Sequence, residues 1–292
     1  MKKLDHHAVE RYRQDGILFP VRAFEAAEAA EWLARLEAIE ARRAGRLPPS
    51  MNAKPHLLIP WLWDIVHDPR VVDPVEDLLG PDLLCYASSF IIKNAHDDRY
   101  VAWHQDATYW GLSAPKAVTA WVALTASIAE NGCVRVVTGT HREQLPHGNT
   151  RDPKNLLGRR ETILADVDET KARDVVLAPG DMSLHDVLIV HGSNANPSGL
   201  RRVGFAIRYI PADVAHTGPQ RNSATHVRGR DFGHFDLEQM PEGEFHPAAV
   251  ARHSVVLRQA MTTIFATGER PSRTTPEEES ALHAAHKMQP DD

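Results

Sequence analysis

Two residues suited to metal chemistry sit two positions apart in a β-prone run, Val101-Ala-Trp-His-Gln-Asp-Ala-Thr-Tyr-Trp110. Alternate side chains of a strand share a face, so His104 and Asp106 are expected to point the same way, with Cα atoms roughly 7 Å apart. An imidazole and a carboxylate converging on one point suit a divalent cation. A His-x-Asp pair alone serves equally as a surface hydrogen bond or salt link, so a second histidine has to come from elsewhere. Leu184-His-Asp-Val-Leu-Ile-Val-His191-Gly-Ser offers two. His191 is favoured, because it ends an apolar run and Gly192-Ser193 lets the backbone turn around a site. His185 is on the same face of an ideal strand but roughly 20 Å away along it, so both cannot meet one ion; it is expected to be structural. Two histidines and a carboxylate with open positions form the ligand set of non-haem Fe(II) oxygenases.

Arg201 and Arg202 follow His191 across an Asn-Pro-Ser-Gly turn, at the start of the next strand. A planar, permanently charged guanidinium there suits a carboxylate lying near the metal. Parity groups Arg202 with Gly204, Ala206 and Arg208, whose small members would leave room beside a ligand. Arg201 shares the other face with Val203, Phe205 and Ile207. Arg202 is therefore the favoured anchor, with Arg201 as the alternative. Both also fit two surface arginines at a strand start.

The elements that must position these residues read as a mainly β protein with flanking helices. Residues 5–15 have helical character, Gly16 to Pro20 reads as a short edge strand, and Glu25 to Arg43 carries Trp32, Leu33, Leu36 and Ile39 at helical spacing. Two short helices follow between Pro60 and Gly80. Leu83 to Lys93 is a strand, expected to form a hairpin with the His104 strand. Val118 to Thr125 and Val134 to Val137 flank Asn131-Gly132, a pair that readily takes positive φ. Residues 142–172 are polar without sustained period and read as a long mobile excursion over the site. Met182 to Val190 runs as one strand into His191, and Val203 to Ile210 is the next. Many short strands with Gly and Pro turns favour a double-stranded β-helix, a cupin-like jelly roll. A single domain over 1–292 is expected: a helical region 1–80, a jelly-roll core at about 82–212 and a C-terminal extension 213–292. The extension should hold a helix at Val250 to Phe265 and a partly ordered tail from Gly268.

The chain has 292 residues, 42% of them hydrophobic, and a formal net charge of -6. That is enough for an ordinary buried core, and it argues against nucleic-acid and anionic-membrane partners. No apolar run approaches a bilayer span, and no leader pattern opens the sequence, so a cytoplasmic protein is expected. Cys85 and Cys133 are expected reduced and buried.

Over roughly residues 10–235 the sequence resembles the phytanoyl-CoA dioxygenase family of Fe(II)- and 2-oxoglutarate-dependent oxygenases. The resemblance is carried by Trp103 to Trp110, by Ala120-Trp-Val-Ala-Leu with Glu130-Asn-Gly-Cys and Thr138-Gly-Thr-His, by Pro179-Gly-Asp181, and by His191-Gly-Ser with Arg201-Arg202. It implies iron held at His104, Asp106 and His191, and 2-oxoglutarate anchored by Arg201 or Arg202, with O2 as the other cosubstrate. In related halogenases a small residue replaces the carboxylate ligand, so Asp106 speaks against halogenation.

On strands next to His104, Lys93, Asn94, Thr119 and Trp121 are candidates for contacting the cosubstrate or lining the pocket, and sheet packing would explain them as well. Tyr109, Trp110 and Arg208 are candidates for the substrate space, with core packing the alternative for the two aromatics. A hydroxylase of a small polar or zwitterionic molecule is the favoured function. A metal-dependent isomerase or lyase of cupin type and an inert binding protein are the alternatives; the oligomeric state is open.

Overall fold

The computed structural model describes residues 3–43, 45–218 and 220–266, with side-chain environments given up to residue 260 except at Tyr109. The expected tail from Gly268 lies outside the described residues. Five helices precede the central strands: α1 (His6–Asp15), α2 (Ala26–Ala41), α3 (Pro49–Asn52), α4 (Pro60–His67) and α5 (Pro69–Leu79). The Asp5 carboxylate caps α1 by accepting from the Ala8 N–H at 2.7 Å. The Glu28 carboxylate accepts from the Glu25 N–H at 2.9 Å to open α2. That helix buries Leu36 and Ile39, as its helical spacing predicted. A sixth helix, α6 (Pro247–Ala266), follows the last strand. Among the described residues no helix is long and apolar enough to cross a membrane.

The strands are β1 (Ile17–Arg22), β2 (Leu83–Lys93), β3 (Val101–His104), β4 (Val118–Ala123), β5 (Val134–Val137), β6 (His147–Asn149), β7 (Glu161–Ile163), β8 (Ala172–Val175), β9 (Asp181–Asp186), β10 (Val190–Ser193), β11 (Arg202–Pro211), β12 (Ser223–Arg228) and β13 (Asp236–Leu237). They form a seven-stranded sheet in the order β1-β9-β4-β11-β2-β12-β13, a four-stranded sheet in the order β3-β10-β5-β8, and the small β6-β7 pair. The two larger sheets make the expected jelly roll. Period-two alternation decides what faces where. Val203, Phe205, Ile207 and Tyr209 of β11 pack with Leu36, Ile39, Leu62 and Val71 in the helix-backed core. Ala206 and Trp121, on the inner face, pack with Val136 and Ile189 of the opposing layer. Full burial of a side chain such as Phe205 contributes about 1.5–3 kcal/mol, so the helical layer is what holds the outer face of the large sheet.

Four expectations are corrected. β2 and β3 do not form a hairpin: β2 pairs with β11 and β12, whereas β3 pairs with β10. β11 takes one edge of β2 along its length and β12 the start of the other, and the chain crosses to the other sheet through residues 94–100. Residues 182–191 are not one strand either. Asp186 Oδ1 accepts from the Leu188 N–H at 2.8 Å and the Asp186 carbonyl from the Ile189 N–H at 3.1 Å, turning the chain between β9 and β10. The apolar run Val187-Leu-Ile189 owes its character to burial between the layers, not to strand continuity. Residues 142–172 are not an irregular excursion; they contain the β6-β7 hairpin, which runs beside β3. Finally, β1 and β12 both belong to the large sheet, so the sandwich extends beyond 82–212 at both ends.

Candidate metal centre

His104 and His191 are directly paired across β3 and β10. Their ring centres are 4.0 Å apart. β3 ends at His104, and Asp106 begins a 3-10 turn, Asp106–Tyr109, so the two are not on one strand as expected. The intervening Gln105 is still extended, and Asp106 Oδ1 comes to 3.5 Å from His104 Nε2. One ligand atom from each of His104, Asp106 and His191 lies within 4.8 Å of the others. His104 Nδ1 donates to the Ala102 carbonyl at 2.9 Å and His191 Nδ1 to the Ile189 carbonyl at 3.0 Å. Those bonds fix the tautomer, leaving each Nε2 lone pair for a cation.

The electrostatics agree with a cation site. Burial opposes ionisation of Asp106, but the His104 hydrogen bond and the nearby His191 and Arg208 hold its carboxyl well below the usual range. His104 is raised because Asp106 outweighs burial, whereas burial and the His104 charge push His191 well down. Protons and a divalent cation therefore compete for this site.

Gln105, which sequence reasoning passed over, holds this turn. Its Nε2 donates to the Leu188 carbonyl at 2.5 Å and the Glu143 carbonyl at 2.7 Å, and its Oε1 accepts from the Leu145 N–H at 2.7 Å. Its type between the two ligands was the available signal. Beyond the turn, the Gly111 carbonyl accepts from the Thr217 N–H at 2.7 Å and the Ala215 carbonyl from the Ser113 N–H at 2.8 Å. The Tyr86 hydroxyl donates to the Trp110 carbonyl at 2.9 Å and accepts from Asn222 Nδ2 at 3.2 Å. Trp110 packs on Tyr86 with ring centres 5.6 Å apart. Of Tyr109, only the backbone is described.

His185 is corrected in position. The turn at 187–189 brings its ring to 5.1 Å from that of His191, although it is not one of the three clustered ligands. Burial pushes its pKa down to about 4, so it is neutral.

Arg202 is fully buried on the inner face of the large sheet and donates through Nη1 to the Gly132 carbonyl. Gly132 has φ of +71°, and a Cβ there would strike the Asn194 carbonyl, so the turn depends on glycine. The Nε and Nη2 atoms of Arg202 are buried without hydrogen-bond partners. Lys93 is paired with Arg202 across β2 and β11 and is also buried. Its Nζ donates to Ser193 Oγ at 2.7 Å and to the Asn194 carbonyl. Burial and then the Arg202 charge push Lys93 down to about 7. Two cations this close, one with orphaned donors, fit a dianionic cosubstrate's carboxylate. Trp121 flanks them, with the Arg202 guanidinium 5.6 Å from its ring centre. The space left by Gly204 is filled by the Trp121 indole rather than left open for a ligand. Thr119 Oγ1 is 3.5 Å from Asp106 Oδ2.

Arg201 and Asn94 stand apart. Arg201 Nη2 bonds Glu40 of α2 at 2.7 and 2.8 Å, and its Nε donates to Asn94 Oδ1 at 3.0 Å. Opposite strand parity puts this pair on the helix side, away from the cavity.

The sequence pattern of the phytanoyl-CoA dioxygenase (PhyH) family matches residues 12–204. The chain belongs to the phytanoyl-CoA dioxygenase family. An ectoine dioxygenase of Bordetella parapertussis (strain 12822) is 27% identical over 226 residues, 69% of this chain and 73% of that protein. Among solved structures, the non-haem monooxygenase ThoJ in its apo form is 37% identical with a TM-score of 0.80, covering 89% of this chain and 98% of that one. A ThoJ–Ni complex is 34% identical with a TM-score of 0.76, covering 89% and 100%. CytC3 with Fe(II) and alpha-ketoglutarate, at 24% identity and a TM-score of 0.61 over 83% and 96%, shares the fold. Like its relatives in the phytanoyl-CoA dioxygenase family, this protein is an Fe(II)- and 2-oxoglutarate-dependent oxygenase.

Proposed function

We propose that the protein hydroxylates a small polar or zwitterionic molecule, with iron held by His104, Asp106 and His191 and 2-oxoglutarate anchored by Arg202 and Lys93. The observation that carries the cosubstrate assignment is the pair of partnerless donors on the buried Arg202 guanidinium. A buried, unmatched guanidinium is costly, and a carboxylate of the cosubstrate offsets that cost. Bound iron with 2-oxoglutarate and oxygen supplies the oxidising power, and 2-oxoglutarate leaves as succinate and carbon dioxide. The protein's part is orientation and exclusion of water. Lys93 and Arg202 hold the distal carboxylate, Trp121 walls that end of the cavity, and the backbone carbonyls of Ala102 and Ile189 keep the two imidazoles aimed at the metal. On this proposal residues 1–292 act as one oxygenase unit.

Polar support for the substrate class comes from Thr119, His185, Ser89 and Arg208, which share the inner face of the large sheet. Ectoine belongs in the first substrate panel because of the relative named for it, and hypophosphite because another relative, from Stutzerimonas stutzeri, is named a probable hypophosphite dioxygenase. The iron-loaded protein should release succinate from 2-oxoglutarate under oxygen, and faster with its substrate present. Indifference to 2-oxoglutarate would point instead to a metal-dependent lyase or isomerase.

A further inference from the structure

On the inner face of the large sheet, cross-strand pairing sets His185 of β9 opposite Thr119 of β4, and Thr119 opposite Arg208 of β11. The three form one row. Thr119, in the middle, reaches toward Asp106, so the row lies against the candidate metal ligands.

Both ends of the row keep unused hydrogen-bonding capacity. The hydrogen bonds of Arg208, to Ser89 Oγ at 2.6 Å and the Ala206 carbonyl at 3.3 Å, all use Nη1. Among the described residues its Nε and Nη2 make none, and no carboxylate forms an ion pair with it. Asp106 is its main electrostatic counterweight. A metal ion would engage that carboxylate and leave the guanidinium without a counter-charge. His185, 3% exposed, makes no hydrogen bond in the structure, and its Nδ1 is buried without a partner. His185 Nδ1 is thus an unmatched buried polar atom, and the partly buried Arg208 has donors to spare on the same face of the sheet. The distal carboxylate of 2-oxoglutarate is not the missing partner. Arg202 is six residues from Arg208 on the same strand, roughly 20 Å at the strand rise, and the cosubstrate already spans from Arg202 to the metal.

We propose that His185, Thr119 and Arg208 form a subsite for one oxyanionic group of the substrate, a carboxylate or phosphonate, with Arg208 as its anchor and His185 as a hydrogen-bonding flank. This assignment rests on the function proposed above and names the substrate's recognised group. Arg208 supplies two N–H donors from one planar edge, the fork that matches two oxygens of an oxyacid. The His185 imidazole supplies one further donor, two strand spacings away, roughly 10 Å between Cα atoms. A substrate tethered there is held beside the metal by an end that does not react, which is how binding energy is turned into orientation.

The test uses short α-amino acids and aminoalkylphosphonates, each paired with its neutral carboxamide or diester. Succinate release by the iron-loaded protein is the first readout; the second is anaerobic 2-oxoglutarate binding, followed by the visible absorption of the Fe(II) complex. In the wild-type protein only anionic members should stimulate succinate release, and whether carboxylates or phosphonates do so identifies the source of the oxyanion. In Arg208→Gln the concentration for half-maximal stimulation should rise about 30-fold or more, with partial recovery in Arg208→Lys and a smaller rise in His185→Gln. Affinity for 2-oxoglutarate should hold in all three. Equal stimulation by neutral partners, or by no member of the panel, overturns the subsite, as does an Arg208→Gln loss of 2-oxoglutarate affinity matching the loss of stimulation. Failure of the wild-type protein to bind 2-oxoglutarate at all would strike the proposed function instead.

Discussion

His104 and His191 occupy directly opposed positions on β3 and β10, and each ring is tied through Nδ1 to a carbonyl two residues before it in its own chain. The repeated device means that both imidazoles are oriented before any cation arrives, with Asp106 alone coming from a turn. Replacing His104 or His191 by Ala should therefore abolish stoichiometric Fe(II) or Ni(II) binding, read by metal titration, while circular dichroism stays native. Retained stoichiometric binding and full turnover in His104→Ala would remove that residue from the site.

Arg202 and Arg201, adjacent in sequence, should respond oppositely to truncation. Arg202→Ala removes a charge-assisted anchor from a desolvated pocket and should weaken 2-oxoglutarate binding by about 2–5 kcal/mol, roughly 30- to several-thousand-fold. Arg201→Ala breaks the contact with Glu40 of α2 and should cost on the order of 1 kcal/mol of stability with little effect on the cosubstrate. Metal binding should survive both. A larger 2-oxoglutarate effect in Arg201→Ala would reverse the assignment.

Lys93 makes the cosubstrate site sensitive to pH. Its amine is lowered from 10.5 to about 7 by burial and then by Arg202. Affinity for 2-oxoglutarate should fall, by about tenfold, as pH rises through 7 and the ammonium is lost. The sign for stability is opposite. Between about 7 and 10.5 the unfolded chain holds a proton at Lys93 that the ligand-free folded chain does not, so this contribution to stability grows as pH rises across that window. Lys93→Met should flatten both profiles, and an unchanged affinity profile in that variant would separate Lys93 from the cosubstrate.

Lys54 and Glu238 form a buried ion pair, their side chains 9% and 2% exposed, that fastens the residue after β13 to the turn following α3. Burial opposes the Glu238 charge, but Lys54 and His56 hold its carboxyl down at about 2, from an ordinary 4.5. Its stabilising contribution is complete above about 4.5 and is lost as pH falls through about 2. Lys54→Met strands the carboxylate and should cost about 3–5 kcal/mol in urea unfolding, much of it recovered when Glu238→Leu is added. No recovery in the double variant would show that the cost lies in packing around Lys54.

The strand parity of β11 was legible from its sequence, because Val203, Phe205 and Ile207 alternate with Gly204, Ala206 and the arginines. That alternation separated Arg202 from Arg201. The clustering of His104, Asp106 and His191 was expected from residue type and spacing. The distance from His185 to His191 was not, because an apolar run between two layers looks the same whether it continues a strand or turns within the core. The pairing of β3 was missed for a related reason: local sequence marks strands well but says little about which distant strand supplies the hydrogen bonds. Gln105, Ser193 and Tyr86 owe their places to partners far along the chain, and no short-range pattern marks them.

The segment just after the Asp106 turn is bound to residues 215–217 and, through Tyr86, to Asn222, all of them after the last candidate metal ligand in the chain. During synthesis, all three candidate ligand side chains have therefore emerged before the segment that steadies one of them exists. A ribosome-bound chain stopped just after β11 should hold Fe(II) more weakly than one extended past Asn222. Metal capture then becomes a late event in the life of the nascent chain, set by the arrival of residues 215–222.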